Sequence, residues 1–128
     1  MGAFRLGITS RENLQGVHAD LVKVVQRAIE ISPVDFRVVE GVRSAERQAQ
    51  LVRAGASQVQ NSRRITGHAI DLGALVDGRV RWDWPLYERI AQAMKDAAKE
   101  LEIPIEWGGD WKTLKDGPHF QLPRKEYP

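Results

Sequence analysis

The sequence contains no cysteine. That excludes a disulfide framework and any thiolate metal site, so a metal ion would have to be held by histidine and carboxylate side chains. The lack of disulfides fits synthesis in a reducing cytosol and does not exclude later work outside the membrane. Histidine is itself scarce, with only His18, His68 and His119. A long apolar run is also missing. The first residues, Met1-Gly2-Ala3-Phe4-Arg5-Leu6, are interrupted by charge and glycine, so neither a secretory signal nor a membrane span is expected. Nor is there a large excess of one charge, the net value being +2. The local exception is the stretch 41–66, where Arg43, Arg47, Arg53, Arg63 and Arg64 stand against Glu46 alone. Such a cluster is either a solvated face or a field that draws an anionic substrate. No basic helix or aromatic-interleaved basic strand accompanies it, and nucleic-acid binding is therefore not expected.

What is present is ordinary globular material: 128 residues, 42% hydrophobic and 28% charged. That length supports one core and predicts a single domain over 1–128. Ser10 is a candidate N-cap for a short helical turn through Leu14. Leu21, Val24, Val25, Ala28 and Ile29 then recur at helical spacing, with Pro33 as the stop. Val34 to Val42 reads as a strand. Ser44 caps a further helix that carries Glu46 in its first turn and ends before Gly55. Ala56 to Gly67 is a polar loop. His68 to Val76 reads as a buried strand that turns at Asp77-Gly78 and returns through Val80 and Trp82. Pro85 suits the first turn of a helix whose apolar face is Leu86, Ile90, Ala93, Met94, Ala97 and Leu101. Ile103, Ile105 and Trp107 alternate as a strand, Gly108-Gly109 break it, and His119 to Leu122 form a last one. The order αβαββαββ, with hairpin-paired strands, predicts an α+β fold built on a small antiparallel sheet.

Two segments could carry chemistry: Ser62-Arg63-Arg64-Ile65-Thr66-Gly67-His68-Ala69-Ile70-Asp71 and Asp116-Gly117-Pro118-His119-Phe120. Residues two apart on a strand point the same way, so His119 and Gln121 share one face while Phe120 and Leu122 pack on the other. Asp116 could lie beside that histidine as a base, although a satisfied surface histidine is the commoner finding. Asp71 sits in an apolar strand, where an unpaired carboxylate is costly. It needs a metal, an arginine or several N–H donors, and a carboxylate that caps a neighbouring loop would also answer the need.

Together the two segments resemble the signature of the phage L-alanyl-D-glutamate peptidases and their D-Ala-D-Ala dipeptidase and carboxypeptidase relatives. That signature is Ser-x-His-x-x-Gly-x-Ala-x-Asp, followed near the C-terminus by Asp or Glu-x-x-His. Ser62, Gly67, Ala69 and Asp71 match its first part, and Asp116 and His119 its second. Further similarity runs through Val17-His18-Ala19-Asp20-Leu21, Glu40-Gly41-Val42-Arg43-Ser44, Glu46-Arg47-Gln48, Trp82-Asp83-Trp84-Pro85 and Trp107-Gly108-Gly109-Asp110-Trp111. The resemblance implies a zinc D-Ala-D-Ala peptidase-like (hedgehog-like) fold and a bacteriolytic metallopeptidase that hydrolyses peptidoglycan stem peptides. The bond it implies is the L-Ala–D-Glu link, with removal of a terminal D-alanine as the alternative. It further implies Asp71 and His119 as zinc ligands, Asp116 as the general base that takes a proton from the attacking water, and Arg43 as the group that binds substrate or stabilises the oxyanion. A monomer is expected, with peptidoglycan peptide as its partner. It would be made in a bacterial host cytoplasm, let out by a membrane-permeabilising partner, and act on the wall without a separate wall-binding module.

One position departs from the signature. Where the family has its first histidine ligand, two residues after the serine, this chain has Arg64. A guanidinium has no lone pair to give and stays protonated, so it cannot replace an imidazole. His68 is three residues from Asp71, which on a strand is the opposite face, and His18 reads as structural. Three readings follow: a zinc endolysin with a disabling change, a metal-free module that still binds wall peptides, or an unusual two-ligand site. Arg64 is expected to pair with Asp71 or Asp116 in place of the ion.

Overall fold

An 18-residue helix and a 13-residue helix pack together over one face of a five-stranded antiparallel sheet. The computed structural model describes residues 4–42, 50, 53–54, 63 and 65–128. In chain order the elements are α1 (Ile8–Asn13), α2 (Ala19–Ile31), β1 (Asp35–Glu40), β2 (Ala69–Val76), β3 (Arg79–Arg81), α3 (Trp84–Leu101), β4 (Glu106–Trp107), a 3₁₀ turn (Gly108–Asp110) and β5 (His119–Gln121). The helix expected from Ser44 and the polar loop from Ala56 fall largely outside the described residues, as do Arg43, Ser62 and Arg64.

The sheet runs β1-β2-β5-β4, with β3 paired to β2 beyond the end of β5. Strand β2 is central because it has no charge except Asp71 and is apolar on both faces. Its hairpin to β3 turns on Asp77 and Gly78, both at positive φ (53° and 78°), the backbone that a two-residue turn between antiparallel strands demands. Trp82 lies just past β3 with its ring stacked on Tyr87.

Helix α2 buries the five residues its spacing singles out: Leu21, Val24, Val25, Ala28 and Ile29. His18 is its N-cap, its Nδ1 accepting the Asp20 N–H at 3.1 Å, so a structural role for this histidine is what the fold gives it. Helix α3 starts after Asp83, with Pro85 in the first turn where its missing N–H costs nothing. Its buried face is broader than expected, because Tyr87, Ala91 and Ala98 join Ile90, Ala93, Met94 and Ala97. Leu101 is 38% exposed instead. The Tyr87 hydroxyl accepts the Ala74 N–H at 3.0 Å and donates to the Arg81 carbonyl at 2.8 Å. Burial raises its pKa above the ordinary tyrosine value.

Two further expectations are corrected. Ser10 does not cap α1; the cap residue is Gly7, and Ser10 is buried one turn in. Its Oγ accepts the Val38 N–H at 3.0 Å while Asn13 Nδ2 donates to the Val38 carbonyl at 2.8 Å. Helix α1 thus satisfies the open edge of β1 with side chains, where an uncovered edge would invite another strand. The strand expected over Ile103–Trp107 shrinks to Glu106–Trp107. The Ile103 N–H turns back to the Ala98 carbonyl at 2.9 Å to finish α3, and Pro104 has no N–H to offer a ladder.

Candidate metal centre and active site

The site is assembled by strand register. In the β2–β5 pairing Asp71 stands opposite His119, Ile70 opposite Phe120, and Ala69 opposite Gln121. Alternation along β5 therefore sends Phe120 into the core and turns His119 and Gln121 to the other face. On the far side of β2, the register with β1 shifts between Val38 and Glu40, so that Glu40 comes opposite Asp71. Such irregularities recur next to active sites, where they re-aim side chains.

Asp116 reaches the same place from the turn before β5. The His119 N–H bonds to the Asp116 carbonyl at 3.2 Å, and the Asp116 N–H to the Gly108 carbonyl at 3.1 Å. Trp107 Nε1 donates to the Gly117 carbonyl at 2.7 Å and pins the turn from below. Gly108 faces Asp116 and His119 so closely that a side chain there would collide with the Asp116 carbonyl. Trp111 closes the other side, its ring centroid 5.0 Å from the imidazole.

The outcome is a cluster in which one ligand atom each from Asp71, Asp116 and His119 lies within 4.8 Å of the others. His119 is 2% exposed. Its Nε2 contacts Gln121 Oε1 at 2.7 Å, while its Nδ1 is buried without a hydrogen-bond partner and lies 3.6 Å from Asp71 Oδ1. A buried polar nitrogen left unpaired is costly, and a metal ion would satisfy it. Tetrahedral coordination with bonds of 2.0–2.2 Å places ligand atoms about 3.4 Å apart. The 3.6 Å between His119 Nδ1 and Asp71 Oδ1 matches that spacing, and nitrogen with carboxylate oxygen is a donor set that zinc accepts. The residues fit the ion.

Of the expected site residues, Asp71, His119 and Asp116 are together, whereas Arg43 and Arg64 lie outside the described residues, and with them the expected pairing of Arg64. His68 and His18 are not in the cluster. Their rings lie 5.5 Å apart, with His68 Nδ1 2.6 Å from Thr66 Oγ1. Tyr127 packs edge-on against His18 and donates to Asp20 Oδ2 at 2.7 Å. Glu106, Gly108 and Trp111 were not singled out as site residues. Only the position of Glu106 on the same sheet face as Gln121 could have marked it, and that depends on which strands pair and in what register.

Comparison with known proteins adds a lineage. The family model for phage L-alanyl-D-glutamate peptidase matches residues 1–122. The L-alanyl-D-glutamate peptidase of Escherichia phage T5 is 35% identical over 129 residues, covering 98% of this chain and 93% of that protein. The crystal structure of the Serratia marcescens L-Ala D-Glu endopeptidase ChiX superposes with a TM-score of 0.93 at 53% identity, covering 98% of this chain and 95% of that one. The vancomycin-resistance D,D-dipeptidase VanXYg shares the fold at a TM-score of 0.56 and 22% identity, over 83% of this chain and 50% of its own.

Proposed function

Because the chain belongs to the phage L-alanyl-D-glutamate peptidase family, we propose that its Asp71–Asp116–His119 cluster is a zinc peptidase centre directed at the L-Ala–D-Glu bond of peptidoglycan stem peptides. The observation that carries this reading is the buried, unpartnered Nδ1 of His119, 3.6 Å from a carboxylate oxygen of Asp71.

In this reading Asp71 and His119 hold the ion and Asp116 works as the base. Zinc, when bound, contributes Lewis-acid polarisation of the scissile carbonyl and eases deprotonation of water. The Asp116 carboxylate takes the proton from the attacking water as its oxygen bonds to the L-alanyl carbonyl carbon. It returns that proton to the D-glutamyl nitrogen as the C–N bond breaks, leaving a carboxylate and an amine. Arg43 supplies fixed positive charge for the oxyanion that forms in between. Trp111, tilted against His119, limits water on that side. Residues 1–128 act as one catalytic unit on the wall, and no helix among the described residues is long and apolar enough to cross a membrane.

Arg64 favours a second reading, in which this chain binds wall peptides without cutting them, because arginine cannot serve as a ligand and two protein ligands hold zinc poorly. One experiment separates the two. Purified chain and its Arg64→His variant are incubated with peptidoglycan and zinc, and the soluble products are analysed by mass spectrometry. Peptides that begin at D-glutamate support the endopeptidase, and release of D-alanine supports a carboxypeptidase. Wall binding without cleavage by the purified chain supports the second reading, and cleavage regained in Arg64→His traces the loss to position 64.

A further inference from the structure

We propose that Gln121 and Glu106 are positioning residues that decide which nitrogen of His119 carries its proton, and so hold Nδ1 ready to donate its lone pair. This rests on the reading that His119 Nδ1 is a metal ligand, but the hydrogen-bond logic stands on the protein alone. Strand register builds a row across three strands on one face of the sheet: Glu106 opposite Gln121 in β4–β5, and His119 opposite Asp71 in β5–β2. Ala69, the residue opposite Gln121 on β2, is too small to compete for the amide.

The polarity of this row has one self-consistent solution. An ionised carboxylate only accepts, so Glu106 Oε1 must receive the Gln121 Nε2–H, at 2.9 Å. That turns Gln121 Oε1 toward His119 Nε2, at 2.7 Å. Oε1 is itself an acceptor, so Nε2 must carry the hydrogen and the neutral ring keeps its lone pair on Nδ1. Turning the amide over would set Oε1 against the Glu106 carboxylate, acceptor against acceptor. The row also opposes a local temptation. Asp71 Oδ1 lies 3.6 Å from Nδ1, and a carboxylate there would draw the ring proton onto Nδ1 and block the lone pair if nothing held it on Nε2.

The test begins without metal. The ¹⁵N shifts of His119 in the metal-free chain, recorded at alkaline pH, should show the Nε2–H tautomer. In Gln121→Leu the proton should move to Nδ1, and in Glu106→Gln the two tautomers should mix, because an amide at 106 no longer dictates which way Gln121 turns. The double change Glu106→Gln with Gln121→Glu should restore Nε2–H, since a carboxylate at 121 accepts from both neighbours. In an Arg64→His background, zinc affinity by calorimetry should fall about 10–100-fold for Gln121→Leu and recover in the double variant. An Nδ1–H tautomer in the unaltered chain, or Nε2–H persisting in folded Gln121→Leu, overturns the proposal. If the tautomer shifts as stated while zinc affinity stays constant, the row stands and the assignment of His119 as a ligand falls.

Discussion

Gly108 lies directly beneath Asp116, with no room between its Cα and the Asp116 carbonyl for even a methyl group, which would also come 3.1 Å from His119 Cβ. The glycine is there for closeness and not for backbone freedom, since its φ is not among the positive ones. Gly108→Ala should therefore lower stability by about 1–3 kcal/mol through overpacking and spread Asp116 away from His119. Thermal melting and zinc titration in the Arg64→His background check both effects. Unchanged values for the two would mean that the 108–116 contact is not what sets the cluster.

Arg64→His should raise zinc affinity by orders of magnitude. The change takes the site from two available protein ligands to three and removes a fixed positive charge. Isothermal calorimetry of the two proteins, with peptidoglycan turbidity clearance alongside, reads the outcome. Equal zinc binding before and after would show that position 64 does not face the ion.

In that background, Asp116→Ala should cut turnover by about 10²–10⁴-fold while zinc stays bound. A base is needed for the proton and need not ligate. Parallel loss of zinc would make Asp116 a third ligand, an arrangement its place in the 4.8 Å cluster would also allow.

His68 carries the clearest acid sensitivity. Partial burial first, then the charge of Arg63 and the neighbouring His18, hold its pKa below the ordinary histidine value. The unfolded chain therefore binds a proton at this site more readily than the folded one, and stability falls as pH drops below about 6.5. It levels off once pH is below the folded value. Urea midpoints measured across this range should show a shallower decline for His68→Gln than for the parent, and parallel slopes would rule His68 out as the cause.

Much of the scaffold was legible because periodicity is local. Leu21, Val24, Val25, Ala28 and Ile29 mark α2, and Asp77-Gly78 marks the β2–β3 hairpin, within a few residues each. The pairing of His119 with Asp71 needed the family resemblance, since strand alternation says which face His119 takes and not which strand lies beside it. Properties that depend on partners distant in the chain stayed hidden. Ser10 looked like a cap because its type suits one, yet its hydroxyl serves Val38. Tyr87 fell outside the apolar stripe because its hydroxyl is polar, but two backbone groups satisfy that hydroxyl inside the core. Ile103 alternated like a strand residue while its amide was already taken by Ala98.

Asp71 and His119 face each other across β2 and β5 but stand 48 positions apart in the chain, with the β2–β3 hairpin, α3 and β4 between them. A loop of that length must close before they meet, and non-local strand pairing of this kind is slow compared with helix formation. In a refolding experiment the helical circular dichroism of α2 and α3 should thus recover before the chain can capture an ion. The visible absorption of Co²⁺ added to an Arg64→His protein would act as a clock for the docking of β5, a step that helical signal alone does not report.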